Sequence, residues 1–431
     1  MPRREPLADH LVVISLDALR PEYYLDERWP APTMRQLLHE GAHAEAVRSV
    51  FPSSSYPGHA TIVTGALPAR HGIVYNRIFA PTGRAGRWFY QASSIRVPTL
   101  WDAAATAGRT SAAVGWPLTA GAPIDWNVPD IWPGGTEADA LEAVRRATRP
   151  EGLWAEIERE ATGRLRPETF DNRRIASAIR VGMIGAYLFE RYRPALLLVH
   201  TQPTTQVMQD PGWWTDPRKQ RAVAASDRAI SEILETVKRL GLRERTAFMI
   251  VGDHGMRSVH TQLRPNVWLR EAGLRPDHPE AGHWGATFHA QAGAAFLRVS
   301  EPVRANEDAV RRLLGDLSPG TRGFFRIVER DELDALGADP DAAFALSAAP
   351  GLEFSDVATG PAVRPNTGMT HGYLPDEPEM HTGFIGAGPG FCPGAVTPLL
   401  PLQDLAPLAA SVLGLEFDAP DGALCPGLLD R

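Results

Sequence analysis

From His10 to Leu16 the chain reads HLVVISL, an uninterrupted apolar and largely β-branched run that ends on Asp17. A strand with no polar alternation must be buried on both faces, and that happens chiefly in parallel sheets covered by helices on either side. The same signature recurs at Arg109 to Trp116 (RTSAAVGW), Ala195 to His200 (ALLLVH) and Thr246 to Asp253 (TAFMIVGD). Segments of helical period lie between them, at Pro32 to Gly41, Arg173 to Tyr192 and Gln220 to Leu240, with Gly41 placed as a helix stop. The alternation predicts an α/β fold, a mostly parallel sheet flanked by helices. Between about His260 and Thr370 the rhythm shortens into AAFLRV, a helical stretch near Val303 to Leu317, FFRIVERDEL and AFALSAAP. We read residues 261–370 as an inserted α+β lobe, and 1–260 with 371–431 as a discontinuous core. The return strand of that core is expected from His381 to Gly388, and its closing helix from Leu402 to Leu415.

Charge narrows the function classes. With 44 basic against 51 acidic residues and a net charge of −7, the chain offers no broad positive surface to a polymeric nucleic acid. No apolar run approaches membrane-spanning length, so no membrane partner is expected. The basic start MPRREPLADH runs straight into the first strand without the features of a secretory signal, which points to a cytoplasmic protein. The two cysteines, Cys392 and Cys425, have neither metal-ligand nor disulfide-framework spacing.

In an open parallel sheet, polar residues at the carboxyl ends of strands face the crevice where ligands bind. Asp17 and the pair Asp253-His254 stand at such ends. Carboxylate and imidazole together suit a borderline-soft divalent cation such as zinc. Taken alone, Asp17 is equally readable as a turn or cap residue. The Asp-His pair before Gly255 is a poor choice for packing. The segment FPSSSYPGHATIVTG, Phe51 to Gly65, sets three serines ahead of a helix expected to begin near Pro57. Unpaired amides at such a helix start favour an anion, so a hydroxyl there could attack phosphorus while they hold the phosphate oxygens. The bland alternative is a serine-rich cap. His59 is readable either as orienting the nucleophile segment or as a buried histidine bonding backbone. His71, His260 and His381 have structural readings too, and so has the pair Trp213-Trp214.

Taken in order, ISLDALRP, FPSSSYPGHATIVTGALPARHGI, VGDHGM and THGYLPDEPEMHTGFIGAGPGF resemble the nucleotide pyrophosphatase/phosphodiesterase family of the alkaline phosphatase superfamily. VPTLWDAAATAGRTSAAVGWP and LQDLAPLAASVLGL extend the likeness over nearly the whole chain. The resemblance implies an alkaline-phosphatase-like fold and a Ser or Thr nucleophile, here Ser55, that forms a covalent phospho-enzyme beside two zinc ions. One ion would be held by Asp17, Asp253 and His254 with the Ser55 oxygen. The other would take His371 from the HGY segment, plus an Asp and a His four residues apart after ALLLVH. Those two positions fall at about Thr205 and Gln209, neither of which is a usual zinc ligand. A further departure is Gly58, where many relatives carry an Asn.

The resemblance therefore implies a phosphodiesterase or nucleotide pyrophosphatase acting on a small phosphate ester such as a nucleotide. It would use one or two Zn2+ or other divalent ions, with the second position altered. Two other readings stay open. One is a weak or inactive protein that binds phosphate ligands on the same fold, and the other is a phosphonate or sulfate ester hydrolase.

Overall fold

The computed structural model describes residues 5–81, 86–133, 137–170, 175–202, 217–276 and 284–430. Its main sheet is assembled from β1 (His10–Leu16), β2 (Ala42–Arg48), β3 (Ser111–Val114), β4 (Trp126–Val128), β5 (Leu196–Thr201) and β6 (Thr246–Val251). A second group consists of β7 (Arg257–Leu263), β8 (Ala286–Gln291), β9 (Ala294–Val299), β10 (Phe325–Val328), β11 (Ala345–Ala348), β12 (Leu352–Phe354) and β13 (Val363–Thr370). The chain then returns to the main sheet with β14 (Thr382–Ala387), β15 (Val396–Thr397) and β16 (Leu400–Pro401).

The main sheet has the order β15-β2-β14-β6-β1-β5-β3-β4, with β16 also on β2. From β6 to β4 every pairing is parallel, while β14 runs antiparallel to both β2 and β6. This is the alkaline-phosphatase-like α/β arrangement, a large mixed sheet with helices on both sides. The unbroken apolar runs follow from burial on two faces. Val12, Ile14 and Leu16 pack with Leu197, Val199, Phe248 and Ile250 under the helices Ile175–Tyr192 and Pro217–Arg239. Leu11 and Val13 point the other way, joining Leu196, Leu198, Ala247, Met249 and Val251 under the helices Ser55–Thr64 and Leu405–Val412.

Gly41 ends the helix Pro32–Glu40 with an extended backbone, φ −141°, instead of a left-handed turn. It is needed for room, since a Cβ there would stand 2.0 Å from the Gly386 carbonyl oxygen. Strands β10, β11, β9 and β8 form a separate antiparallel sheet, and β12, β7 and β13 a three-stranded one. The four-stranded sheet buries Ala294, Phe296 and Val328 against Phe51, at the start of the serine-bearing segment, and against Tyr75. Among the described residues no helix is long and apolar enough to cross a membrane.

Candidate active site

Strand parity builds the site. On β1 the odd positions Leu11, Val13 and Ser15 lead to Asp17, and on β6 Ala247, Met249 and Val251 lead to Asp253. The two carboxylates thereby leave the sheet on the face covered by the helix Ser55–Thr64. Immediately after Asp17 the chain turns through Ala18, a non-glycine residue at φ +56°. That conformation is costly for an L-residue and persists where surrounding structure holds it. Here it aims the Ala18 N–H at Asp253 Oδ1, 3.0 Å away, and the His254 N–H donates to the same oxygen at 3.0 Å.

His254 Nδ1 lies 2.9 Å from the Gly255 carbonyl, which can only accept, so the proton sits on Nδ1 and Nε2 carries a lone pair. That nitrogen faces Ser55 Oγ at 3.1 Å, Asp17 Oδ1 at 3.4 Å and Asp253 Oδ2 at 3.4 Å. Asp253 Oδ2 is fully buried and has no hydrogen-bond donor among the described residues. The Ser55 hydroxyl can donate to Nε2, but the two carboxylates and the imidazole lone pair repel one another in a buried place unless a cation lies between them. Ligand atoms of Asp17, Asp253 and His254 all fall within 4.8 Å of one another, so the three residues fit a metal ion. A histidine that gives its second N–H to a backbone carbonyl is oriented as metal ligands usually are.

His371 also reaches this place. Its ring stacks on His254 with centroids 4.1 Å apart, and its Nδ1 donates to the Ser53 carbonyl at 3.2 Å. It does not belong to the close group formed by Asp17, Asp253 and His254. Burial, then the neighbouring His254, pushes its pKa down to about 3. The positions of its expected companions, Thr205 and Gln209, lie outside the described residues, as do Trp213-Trp214.

The serine-bearing segment departs from expectation in two ways. The helix starts at Ser55, two residues before Pro57, and its cap Ser54 makes no side-chain cap bond. Ser54 Oγ is buried without a partner among the described residues, so the serines do not act as an ordinary cap. The expected row of unpaired amides is also mostly absent. The Tyr56 N–H is taken by Asn76 Oδ1 at 2.9 Å, Pro57 has none, and the Gly58 N–H goes to the Ser54 carbonyl at 2.9 Å. Asn76 gave no signal in the sequence, because a turn asparagine is too common to single out. At Gly58 a Cβ would stand 3.1 Å from Asp253 Cβ, so this helix lies close against the carboxylate turn.

His59 bonds backbone and also reaches the site. Its Nδ1 is 2.7 Å from the Ser55 carbonyl and 3.6 Å from Asp253 Oδ2. His71 is structural, bonded to Thr61 Oγ1 and to the Ile73 N–H. His381 lies at a shallow surface pocket with Arg20 and Glu45, apart from the carboxylate cluster.

A match to the type I phosphodiesterase / nucleotide pyrophosphatase family runs over residues 11–373. The chain belongs to that family. Its relatives include an uncharacterized pyrophosphatase/phosphodiesterase of Schizosaccharomyces pombe, 26% identical over 265 residues, covering 60% of this chain and 47% of the relative. A bis(5'-adenosyl)-triphosphatase of Xenopus laevis is 30% identical over 115 residues, covering 25% of this chain and 24% of the relative. The aligned part thus spans about half the length, or less, of these curated relatives. Human ectonucleotide pyrophosphatase / phosphodiesterase 5 shares the fold, with a TM-score of 0.69 at 18% identity over 98% of this chain and 100% of that one. An inactive variant of the murine protein, solved in complex with AMP, superposes with a TM-score of 0.65 at 19% identity over 95% of this chain and 96% of that one. The family is one of phosphoric ester hydrolases, and this chain carries its fold together with an Asp/His group able to hold a metal.

Proposed function

We propose that this protein is a metal-dependent phosphodiesterase or nucleotide pyrophosphatase in which Ser55 is the nucleophile. The observation that carries the reading is the bare Nε2 of His254, set among Ser55 Oγ and two carboxylate oxygens at 3.1 to 3.4 Å. Asp17, Asp253 and His254 would hold one divalent ion, zinc by family resemblance. When bound, that ion supplies Lewis acidity that makes a serine hydroxyl easier to ionise. Ser55 Oγ attacks the phosphorus as its hydroxyl proton passes to solvent, the bond to the leaving oxygen breaks, that oxygen takes up a proton, and a serine phosphate ester forms. Water then attacks the same phosphorus and releases Ser55 Oγ. Asn76, its oxygen pinned by the Tyr56 N–H, keeps its amino group as a donor for a phosphate oxygen, supplementing the depleted helix start.

The second metal position is altered in this reading, with His371 retained and Thr205 and Gln209 in place of the usual carboxylate and imidazole. A small phosphate ester such as a nucleotide is the substrate class, in keeping with the AMP complex of the murine relative. Residues 1–260 with 371–431 form the catalytic core and 261–370 an inserted lobe. The separate four-stranded sheet supports that division.

The test is metal content after purification with zinc supplied, followed by cleavage of p-nitrophenyl phosphodiesters and monoesters by wild type and Ser55→Ala. Metal-dependent turnover lost in the variant is expected. Nucleotide binding with no turnover in wild type would instead select a binding protein on the same fold, the alternative that Thr205 and Gln209 favour.

A further inference from the structure

His200 closes the apolar run of β5, near the expected Asp and His ligands of a second metal but at the wrong spacing to replace either. Its alternate neighbours Leu196 and Leu198 are ordinary core residues on the same face. In register it stands opposite Ser15 of β1, one sheet layer beneath the helix that carries Ser55. The residue is 1% exposed, and its Nε2 has no hydrogen-bond partner among the described residues. A buried polar atom left unsatisfied costs stability that a leucine at the same position would not, so packing alone does not account for it.

The hydrogen-bond directions can be followed outward from Ser55. The Ser55 carbonyl accepts from His59 Nδ1 at 2.7 Å, so the proton of His59 is on Nδ1 and its Nε2 must accept. Two groups face that nitrogen, Ser15 Oγ at 2.9 Å and His200 Nδ1 at 3.1 Å. The serine hydroxyl can rotate its hydrogen elsewhere. An imidazole N–H is fixed in its ring plane and cannot. The edge of Trp116 against His59, centroids 5.2 Å apart, leaves the ring little freedom to tip away.

We propose that His200 is a positioning residue for Ser55, acting through His59. The strand holds His200, His200 fixes the tautomer and plane of His59, and His59 holds the Ser55 carbonyl, hence the first residue of the helix. This rests on the reading of Ser55 as nucleophile. It requires only that attack geometry be sensitive to displacements well under an ångström, as such geometry generally is.

Kinetics of the metal-loaded protein on a p-nitrophenyl phosphodiester test it with His200→Leu and His200→Asn. The asparagine keeps an N–H close to where Nδ1 stood, whereas leucine removes it. For His200→Leu a fall in kcat of about tenfold is expected, with KM within about twofold and metal content unchanged. His200→Asn should return kcat to within about threefold of wild type. Nitrogen-15 NMR of wild-type imidazoles should show His59 protonated on Nδ1, a readout that does not depend on the leucine variant folding. His59 protonated on Nε2, a wild-type kcat in His200→Leu, or no rescue by asparagine each overturns the proposal. Ser55→Ala is run beside them. If it abolishes turnover while His200→Leu does not, this inference alone falls; if it keeps turnover, the nucleophile reading falls.

Discussion

His254 and His371 stack two imidazoles with centroids 4.1 Å apart, and they are built differently. His254 follows a strand of the central sheet and is locked by the Gly255 carbonyl, with two carboxylates and Ser55 gathered around its free nitrogen. His371 follows the end of β13 and is held by the Ser53 carbonyl, outside the close carboxylate group. The first environment is complete without the second. Ligands that leave adjacent parallel strands at the same end converge because the sheet spaces them, whereas a ligand from a distant turn needs partners from its own surroundings to become a site.

The sharpest way to break this contrast is to delete each imidazole in turn. For His254→Ala we expect loss of bound metal and a fall in kcat of about a thousandfold or more. A variant that keeps both would show that the carboxylates alone suffice. Gly58→Ala tests how closely the helix must lie on the Asp253 turn. Its new methyl, 3.1 Å from Asp253 Cβ, should cost about 1–3 kcal/mol in urea unfolding and weaken metal binding in titration. Wild-type stability and affinity in that variant would show the contact to be slack.

Acid provides a third handle. His71 has its pKa depressed by burial from 6.5 to about 3. A depressed group of this kind contributes stability that is fully present above 6.5 and is lost as pH falls from there towards 3. Between pH 7 and pH 5 the loss from this residue should be about 2 kcal/mol, absent in His71→Asn. Comparing acid unfolding of the two proteins separates loss of fold from loss of the site; identical acid limbs would exclude His71 as a contributor. The smallest effect is expected for His371→Ala, about tenfold in kcat with one metal retained. A loss equal to that of His254→Ala would show that the two halves act as one unit.

The helix–strand alternation was legible in residue patterns, and the parallel core from β6 to β4 follows it closely. Asp17, Asp253 and His254 were legible too, because strand ends in such sheets are where polar residues face a crevice. His200 was legible only as a histidine near the expected second-metal ligands; its place beside Ser15 follows from the register of β5 on β1, which spacing along β5 alone does not give. The unpaired amides expected at the serine segment were the clearest error. Asn76 comes from a later turn and consumes one of them, which no local spacing announces.

What the chain's letters settle alone is periodicity: which residues go inside, which strands are buried on both faces, and which polar side chains close them. Such preferences are local and survive without knowledge of neighbours. Only the folded molecule decides which nitrogen of each histidine carries its proton, which amides remain free at the serine segment, and which of two stacked imidazoles stands among carboxylates. Each of those depends on donors and acceptors brought together from distant parts of the chain at separations near 3 Å, and a hydrogen bond is lost over shifts far smaller than a sequence pattern can register.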